Sequence, residues 1–368
     1  MIPLSKSNPD WRRWTIAITG VNARPDNPGP GLAVARCLRE TLGFSGRLIG
    51  LGYEVLDPGL YHNAIFDAGY LLPYPSGGAE GQLERLLEIH AEERIDAVIP
   101  CLDAELSTFA HNEAALAAAG IRMLAPHPDQ LRARAKDNLG EMCRGLGIDT
   151  PETQKVSDAG FFDRCRDEGW SYPLVVKGIY YDAVVSDTPE DAKAAFHRIA
   201  AQWGYPVLVQ QFVGGYEVNL TALGDGQGGM IGPVMMRKRA LTDKGKAWAG
   251  ISIDDDQLEQ MGRTIIAGIK WQGPLEVEAL RGDDGRLYLI EVNPRFPAWV
   301  YLTHGVGCNL PQVLVRLMAG EHPTDLPRAR PGTLFIRHAE ELIVSLEQFQ
   351  AMMVEGVLSA PCDKNRVA

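Results

Sequence analysis

The segment GPLEVEALRGDDGRLYLIEVNPR, residues 273–295, alternates polar and apolar side chains on both sides of a turn signal. Asp284-Gly285 is typical of the two-residue turn of a β-hairpin, and every second residue of a strand points to the same face. One face would therefore carry the polar side chains of Glu276, Glu278, Glu291 and Asn293. The other face would carry the apolar side chains of Val277, Ala279, Ile290 and Val292.

The turn also predicts the register of the hairpin, with Glu278 opposite Glu291 and Glu276 opposite Asn293. Two glutamates that face each other at about 5 Å destabilise a sheet unless a cation lies between them. Mg²⁺ takes oxygen ligands from one or two carboxylates together with substrate phosphates. We therefore predict a Mg²⁺ (or Mn²⁺) site at Glu278, Glu291 and Asn293, with Glu276 at its edge as a candidate contact to a substrate. The alternative is a solvated hairpin face whose charges are unrelated.

The composition excludes several classes of protein. Of 368 residues, 45% are hydrophobic and 23% are charged, which is typical of a globular protein. The net charge of −11 argues against a nucleic-acid-binding surface, which would be basic. No apolar run is long enough to span a membrane, the start of the chain lacks the apolar core of a secretory signal, and the cysteines form no CxxC pair. We expect a cytoplasmic protein that binds neither nucleic acid nor membrane.

The order of apolar segments predicts three lobes. Strands alternate with helices over residues 1–125, which indicates an α/β lobe built from parallel βαβ units. Residues 126–205 are typical of a small α+β lobe. Residues 206–368 contain longer strands with alternating side chains, which predicts a large lobe with an antiparallel sheet and a C-terminal segment.

Several cations are candidates for binding an anion. Lys177 ends the apolar strand PLVVK, where a charge is costly unless it meets an anion, and Lys136 is predicted to open a helix. Either lysine could equally be an ordinary surface residue. The basic run 237–246 is either a solvated strand and loop or a phosphate-binding segment, in which we favour Arg237 or Lys238. No GxxxxGK[ST] motif is present, which excludes a P-loop enzyme.

The run LIEVNPR, followed by GVGCNLPQVLVRLMAG, resembles the ATP-grasp superfamily, and in particular the large subunit of carbamoyl-phosphate synthase and its stand-alone relatives. The resemblance implies an ATP-grasp fold of mixed α/β and α+β class, in which the first lobe is a Rossmann-like pre-ATP-grasp domain. It implies ATP and Mg²⁺ as cofactors, and it allows a homodimer.

The resemblance also assigns roles to single residues. Lys136 and Lys177 would hold the nucleotide phosphates, and Glu217 would bind the ribose hydroxyls unless it is simply a solvent-facing strand residue. The adenine hinge would comprise Gln210, Gln211, Phe212 and Val213. The magnesium ligands would be Glu278, Glu291 and Asn293.

Arg295 would face the transferred phosphoryl group or the acyl phosphate, and its guanidinium suits bidentate phosphate recognition. The alternative for Arg295 is a salt bridge to one of the glutamates. The loop after Lys177 departs from the family, because it contains few glycines. Its Tyr180 and Tyr181 either line the acceptor site or pack within the small lobe.

Asp103 and Glu105 follow the predicted strand AVIPC, and ligands of open α/β sheets bind at the carboxyl ends of the strands. These two acids could bind the ammonium group of an amino-acid-like substrate. The alternative is that they cap the helix that begins next to them.

The function implied by the resemblance is that of an ATP-dependent carboxylate–amine ligase. It would form an amide bond through an acyl phosphate and release ADP and phosphate. Its substrates would be small-molecule or peptide carboxylates and amines, which the sequence does not identify. The alternatives are a bicarbonate-using ATP-grasp enzyme, disfavoured because no glutaminase or biotin-carrier segment is recognised, and a non-catalytic nucleotide-binding scaffold.

Overall fold

The computed structural model describes residues 10–24, 27–179, 182–242, 245–324 and 326–359. It has mixed α/β architecture with three separate β-sheets. The predicted acceptor-site residues Tyr180 and Tyr181 lie outside the described residues. No helix in the described ranges combines the length and apolar character needed to cross a bilayer.

Within its described residues, the first lobe contains four parallel strands with helices between the first and second and between the third and fourth, as the alternating pattern predicts. The strands are β1 (Thr15–Ile18), β2 (Arg47–Gly52), β3 (Ala68–Leu71) and β4 (Ala97–Ile99). The helices are α1 (Gly31–Arg39), α2 (Ala79–Glu93) and α3 (Asp103–Ala118). β1 lies between β2 and β4 in the sheet, so the carboxyl ends of these strands meet at one edge. Helix α3 begins at that edge, which places Asp103 next to the neighbouring lobes.

The small lobe is built on a four-stranded antiparallel sheet in the order β5-β8-β6-β7. Its strands are β5 (Thr153–Val156), β6 (Leu174–Lys177), β7 (Ala183–Ser186) and β8 (Val207–Gln211). Its helices are α4 (Pro128–Ala133), α5 (Leu139–Leu146), α6 (Phe161–Arg164) and α7 (Pro189–Trp203). The predicted boundary after residue 205 lies before β8, yet β8 pairs with both β5 and β6. Backbone hydrogen bonds therefore keep β8 in the small sheet.

The large lobe is built on a six-stranded sheet in the order β13-β12-β9-β10-β11-β14, and its neighbouring strands are antiparallel. Its strands are β9 (Gly215–Asp225), β10 (Met230–Leu241), β11 (Ala247–Ile253), β12 (Gln272–Gly282), β13 (Leu287–Asn293) and β14 (Leu334–Ile336). Its helices are α8 (Asp256–Ile269), α9 (Tyr301–Gly305) and α10 (Leu310–Met318). Helix α8 packs on one face of the sheet through Leu258, Ile265 and Ile266.

The end of the described chain returns to the first lobe. After α11 (Leu346–Glu355), strand β15 (Val357–Ser359) pairs antiparallel with β3 at the edge of the first sheet. The predicted large lobe extended to residue 368, so the position of β15 differs from that expectation. The reason is tertiary: Met352 of α11 is buried in the core that the first lobe shares with the segment after β13.

Candidate functional site

The predicted hairpin forms with β12 and β13 as its strands, and its register at the acidic residues is confirmed. Glu278 lies opposite Glu291, and Glu276 lies opposite Asn293. The turn itself differs from the prediction. The amide of Gly282 donates to the carbonyl of Arg286 at 2.9 Å, so the loop contains three residues, 283–285, rather than two. Such loops commonly end in a residue with a left-handed backbone, and Gly285 has φ 80°.

A β-bulge restores the predicted pairs. Next to the turn, Ala279 pairs with Leu289, whereas Glu278 pairs with Glu291, so Ile290 is the extra residue on β13. Without the bulge, the three-residue loop would place Ile290 opposite Glu278. The bulge also exchanges two apolar side chains, since Leu289 enters the core in place of the predicted Ile290. Bulges often re-aim a side chain beside an active site, and this one places Glu291 beside Glu278.

Glu276 lies inside the sheet rather than at the edge of an open site. Its carboxylate accepts hydrogen bonds from Trp299 Nε1 at 2.7 Å, Asn219 Nδ2 at 3.0 Å and Asn293 Nδ2 at 3.1 Å. Burial and the neighbouring Glu278 carboxylate raise the pKa of Glu276 above its usual range. The predicted direct contact of Glu276 with a substrate is therefore replaced by a buried role, in which it orients Asn293 and Trp299.

Glu278 is paired with a lysine from another strand of the same sheet, two positions away in the strand order. Lys238 on β10 places Nζ 3.1 Å from Glu278 Oε2 and 2.5 Å from Glu217 Oε2. Burial alone would raise the pKa of Glu278, but the Lys238 ammonium lowers it to about 2. Burial likewise lowers the pKa of Lys238, and the two carboxylates more than reverse that effect. Glu278 is therefore a fully ionised carboxylate at neutral pH.

The small lobe brings two further lysines to this hairpin. Lys136 lies in the turn before α5 rather than in a helix, and its Nζ is 3.4 Å from Glu291 Oε1. Lys177 ends β6 as predicted and donates to Gln210 Oε1 at 2.6 Å. Burial, followed by the nearby charge of Lys136, lowers the pKa of Lys177 to about 8. Lysines of one lobe thus face carboxylates of another.

Arg295 joins the large lobe to the first lobe. Its Nε lies 2.6 Å from Asp103 Oδ2, and its Nη1 lies 3.6 Å from Glu276 Oε2. The salt bridge that the sequence offered as the alternative for Arg295 is therefore present. Arg134, from the segment after α4, lies 3.7 Å from the other oxygen of Asp103. Sequence reasoning missed Arg134, and the run RARAK that contains it is the one local signal for it.

The two acids of the first lobe have different surroundings. Glu105 is fully buried and accepts backbone hydrogen bonds from Cys101 at 2.8 Å and Leu102 at 2.9 Å, as well as hydroxyl hydrogen bonds from Thr19 and Tyr53. A glutamate at the third helical position commonly reaches back to the helix start in this way. The capping alternative therefore describes Glu105, whereas Asp103 faces the two arginines.

Comparisons with known proteins agree with this architecture. No family model matches the chain. The large chain of carbamoyl phosphate synthase from Halomonas eurihalina is 29% identical over 257 residues, which cover 65% of this chain and 23% of that protein. The chain spans less than a quarter of the length of the curated relatives it matches.

Two solved structures share most of the fold. L-amino acid ligase from Bacillus licheniformis matches with a TM-score of 0.62 and 19% identity, over 87% of this chain and 78% of that one. The biotin carboxylase domain dimer of Hydrogenobacter thermophilus 2-oxoglutarate carboxylase, solved with MgADP and bicarbonate, matches with a TM-score of 0.65 and 18% identity, over 88% of this chain and 73% of that one. The chain has the ATP-grasp fold. The fold class implied by the resemblance is thus confirmed.

The predicted ATP-grasp hinge follows the last strand of the small sheet. The side chain of Gln210 donates to Thr153 Oγ1 at 2.9 Å, and that of Gln211 donates to Ser171 Oγ at 2.9 Å. Both amide side chains are therefore engaged within the small lobe. Val213 lies in the short connection to β9, and Glu217 follows on that strand. A contact of this ATP-grasp hinge with adenine would thus be made by its backbone.

The donor set of the ATP-grasp hairpin fits a divalent cation. Within the described ranges, no group of three or more His, Cys, Asp and Glu side chains is arranged to hold a metal. Mg²⁺ does not need such a group, because one or two carboxylates and the substrate phosphates suffice. Asn293 Nδ2 donates to Glu278 Oε1 at 2.7 Å, which turns its Oδ1 away from that carboxylate. Each hairpin carboxylate has a lysine ammonium group beside it, at 3.1 Å from Glu278 and 3.4 Å from Glu291. Both carboxylates therefore already attract positive charge.

Proposed function

We propose that the chain is an ATP-dependent ligase that joins a carboxylate to an amine through an acyl phosphate. The observation that carries this proposal is the convergence of lysines from two lobes on the paired carboxylates of the hairpin. Lys136 lies 3.4 Å from Glu291, and Lys238 lies between Glu278 and Glu217. A nucleotide triphosphate with its metal supplies the complementary charges, since its phosphates pair with the lysines and its metal pairs with the carboxylates.

The nucleotide would lie between the small lobe and the open face of the large sheet. Lys136 and Lys177 would donate hydrogen bonds to the phosphate oxygens and balance their negative charge. Glu217 would accept hydrogen bonds from the ribose hydroxyls, and the backbone near Val213 would contact adenine. These assignments rest on the resemblance and are supported by the positions of the residues on the facing surfaces of the two lobes.

Glu278, Glu291 and Asn293 would hold Mg²⁺. The bound metal would neutralise charge that develops on the transferred phosphoryl group. Glu276 and Lys238 would support this set, because Glu276 orients Asn293 and Lys238 balances Glu278 when no nucleotide is present.

The chemical step requires positive charge beside the acceptor. An oxygen of the substrate carboxylate would attack the γ-phosphorus in line and displace ADP. Arg295 would stabilise the negative charge on the acyl phosphate, as fixed donors do in acyl-transfer sites. An amine would then attack the carbonyl carbon and displace phosphate, which leaves with the proton lost by the nitrogen. Closure of the lobes would keep water from the acyl phosphate.

Release of ADP and phosphate tests this proposal. We expect ADP to form only when a carboxylate and an amine are both present, with hydroxylamine serving as a general amine that yields a hydroxamate. Transfer of ¹⁸O from the carboxylate to phosphate would report the acyl phosphate. ADP formation with bicarbonate alone would instead support a bicarbonate-using enzyme. Binding of MgATP without turnover on a broad panel would support a non-catalytic scaffold. The biotin carboxylase domain that shares this fold is a dimer, which supports the homodimer that the resemblance allows for this chain.

Nucleotide affinity is expected to fall about tenfold between about pH 7 and pH 9. The pKa of Lys177 is about 8, so Lys177 is charged at the lower pH and mostly neutral at the higher one. Only the charged form attracts phosphate, and affinity is therefore lost as the pH rises. Titration calorimetry with ADP at constant ionic strength measures this change. Lys177→Met should bind weakly at both pH values, and an equal fall in that variant would assign the pH dependence to another group.

A further inference from the structure

Four charged residues meet where the three lobes join. Asp103 belongs to the first lobe, Arg134 to the segment after α4, and Glu276 and Arg295 to the large lobe. Arg295 contacts both carboxylates, and Arg134 contacts Asp103. Two guanidinium groups thus balance two carboxylates, so the cluster is neutral as a whole. A buried cluster of this kind favours a ligand that adds no net charge, because an unpaired buried charge is costly.

Asp103 is the most exposed member of the cluster. The side chain of Asp103 is 31% exposed, against 18% for Arg134, 11% for Arg295 and 5% for Glu276. Of the four side chains, the Asp103 carboxylate is therefore the most accessible to a ligand. This carboxylate repels a simple anion and attracts a group with positive charge.

Arg134 has spare capacity to bind an anion. Its Nε is buried and has no hydrogen-bond acceptor among the residues that the structure describes. Its contact with Asp103 is long, at 3.7 Å. A guanidinium has five donors, and a buried donor left without an acceptor is costly. A carboxylate oxygen placed between Arg134 and Arg295 would remove that cost.

We propose that Asp103, Arg134 and Arg295 form the subsite of the acyl donor and select an α-amino acid over a simple carboxylic acid. This inference rests on the proposed ligase function. The ammonium group of the ligand takes over the contact with Asp103, and its carboxylate takes over the contacts with the two arginines. Both groups of an α-amino acid are attached to one carbon, so they require anionic and cationic partners side by side. Asp103 and Arg295, in contact at 2.6 Å, provide such partners.

The position of the subsite suits activation of the bound carboxylate. Arg295 follows the predicted metal ligand Asn293 by two residues, and Arg134 precedes the predicted phosphate ligand Lys136 by two residues. A carboxylate held by both arginines therefore lies beside the region assigned to the γ-phosphate. The same two arginines would remain in place to stabilise the acyl phosphate.

Binding of matched ligand pairs tests the subsite without relying on turnover. The probes are L-amino acids and their des-amino counterparts, such as alanine with propionate and phenylalanine with 3-phenylpropionate, added to protein with a non-hydrolysable MgATP analogue. We expect the preferred amino acid to bind at least about a hundredfold more tightly than its partner. Asp103→Asn should reduce that ratio to near one without changing nucleotide affinity, and Asp103→Glu should retain part of it.

Matched controls separate a specific role from a general effect of charge. Asp129 and Arg132 form an exposed ion pair on the neighbouring helix α4. Asp129→Asn should keep the full preference for amino acids. Arg134→Met should weaken binding of both members of a pair, whereas Arg132→Met should weaken neither. A preference that survives in Asp103→Asn, or equal binding of both ligands to the wild-type protein, would overturn the subsite.

Hydroxamate formation with the same ligands distinguishes this inference from the proposed function. Selective binding of amino acids without ADP or hydroxamate would support the subsite and overturn the ligase. Equal turnover of amino acids and des-amino acids would support the ligase and overturn the subsite.

Discussion

Glu291→Gln is expected to lower the rate of ADP formation by about 10²–10³-fold. Glu291 is one of two carboxylates placed face to face by the bulge in β13, and both are assigned to the metal. Glutamine keeps the size of the side chain but removes its negative charge. The variant should therefore fold normally and need a higher Mg²⁺ concentration for half-maximal rate. Steady-state assays across a Mg²⁺ titration, with circular dichroism as a check of folding, measure both effects.

A matched control for this change is Glu259→Gln. Glu259 lies on α8 and pairs with Arg263 at 2.6 Å, away from the hairpin face. Its replacement should leave the rate and the Mg²⁺ requirement unchanged. If Glu291→Gln retains wild-type turnover at low Mg²⁺, the assignment of the hairpin carboxylates to a metal is wrong.

Lys238→Met is expected to destabilise the nucleotide-free protein by about 3–5 kcal/mol. The side chain of Lys238 is only 7% exposed and contacts both Glu217 and Glu278. Its removal leaves Glu278 as a buried carboxylate without this cation. Chemical denaturation in the absence of divalent ions measures the loss. Lys155→Met is the matched control, since Lys155 is 50% exposed and pairs with Asp137 at the surface. That change should cost less than about 1 kcal/mol.

Divalent ions provide the second half of this experiment. If Glu278 and Glu291 hold Mg²⁺, the ion should restore more stability to Lys238→Met than it adds to the wild-type protein, because it replaces the missing positive charge. A ligand that binds only the folded state stabilises it by an amount that grows with the logarithm of its concentration above Kd. Equal stability of Lys238→Met and Lys155→Met without Mg²⁺ would contradict the electrostatic account of the site.

Much of the hairpin could be predicted because its signals are local. Alternation of polar and apolar residues sets the faces of a strand, and the Asp-Gly turn places the reversal of the chain. The predicted pairs Glu278–Glu291 and Glu276–Asn293 are confirmed, although the loop is one residue longer than expected and the bulge at Ile290 compensates. The bulge was not predictable, since it depends on which apolar side chain, Leu289 or Ile290, fits the core beneath the sheet.

The sequence predicted Asp103 as a candidate substrate residue, but its pairing with Arg295 could not be predicted in the same way. Asp103 is 192 positions away from it in the sequence, and the two meet because the first lobe shares a hydrophobic core with the segment after β13. Phe296 and Trp299 of that segment are buried in this core. Packing between distant segments therefore places Asp103 beside Arg295. Glu105, only two residues later, instead caps the start of its own helix.

The amino-acid sequence by itself determined the acidic face of the hairpin and the lysine at the end of β6, because both follow from short-range alternation and turn chemistry, and its resemblance to the ATP-grasp superfamily implied the fold. Only the tertiary structure decided how two equivalent-looking acids differ. Glu276 is buried beneath Trp299 and Asn219, whereas Glu278 is paired with Lys238 on another strand of the sheet. The physical reason is that the neighbours of a side chain across a sheet come from segments far away in sequence, and their packing sets its burial and charge.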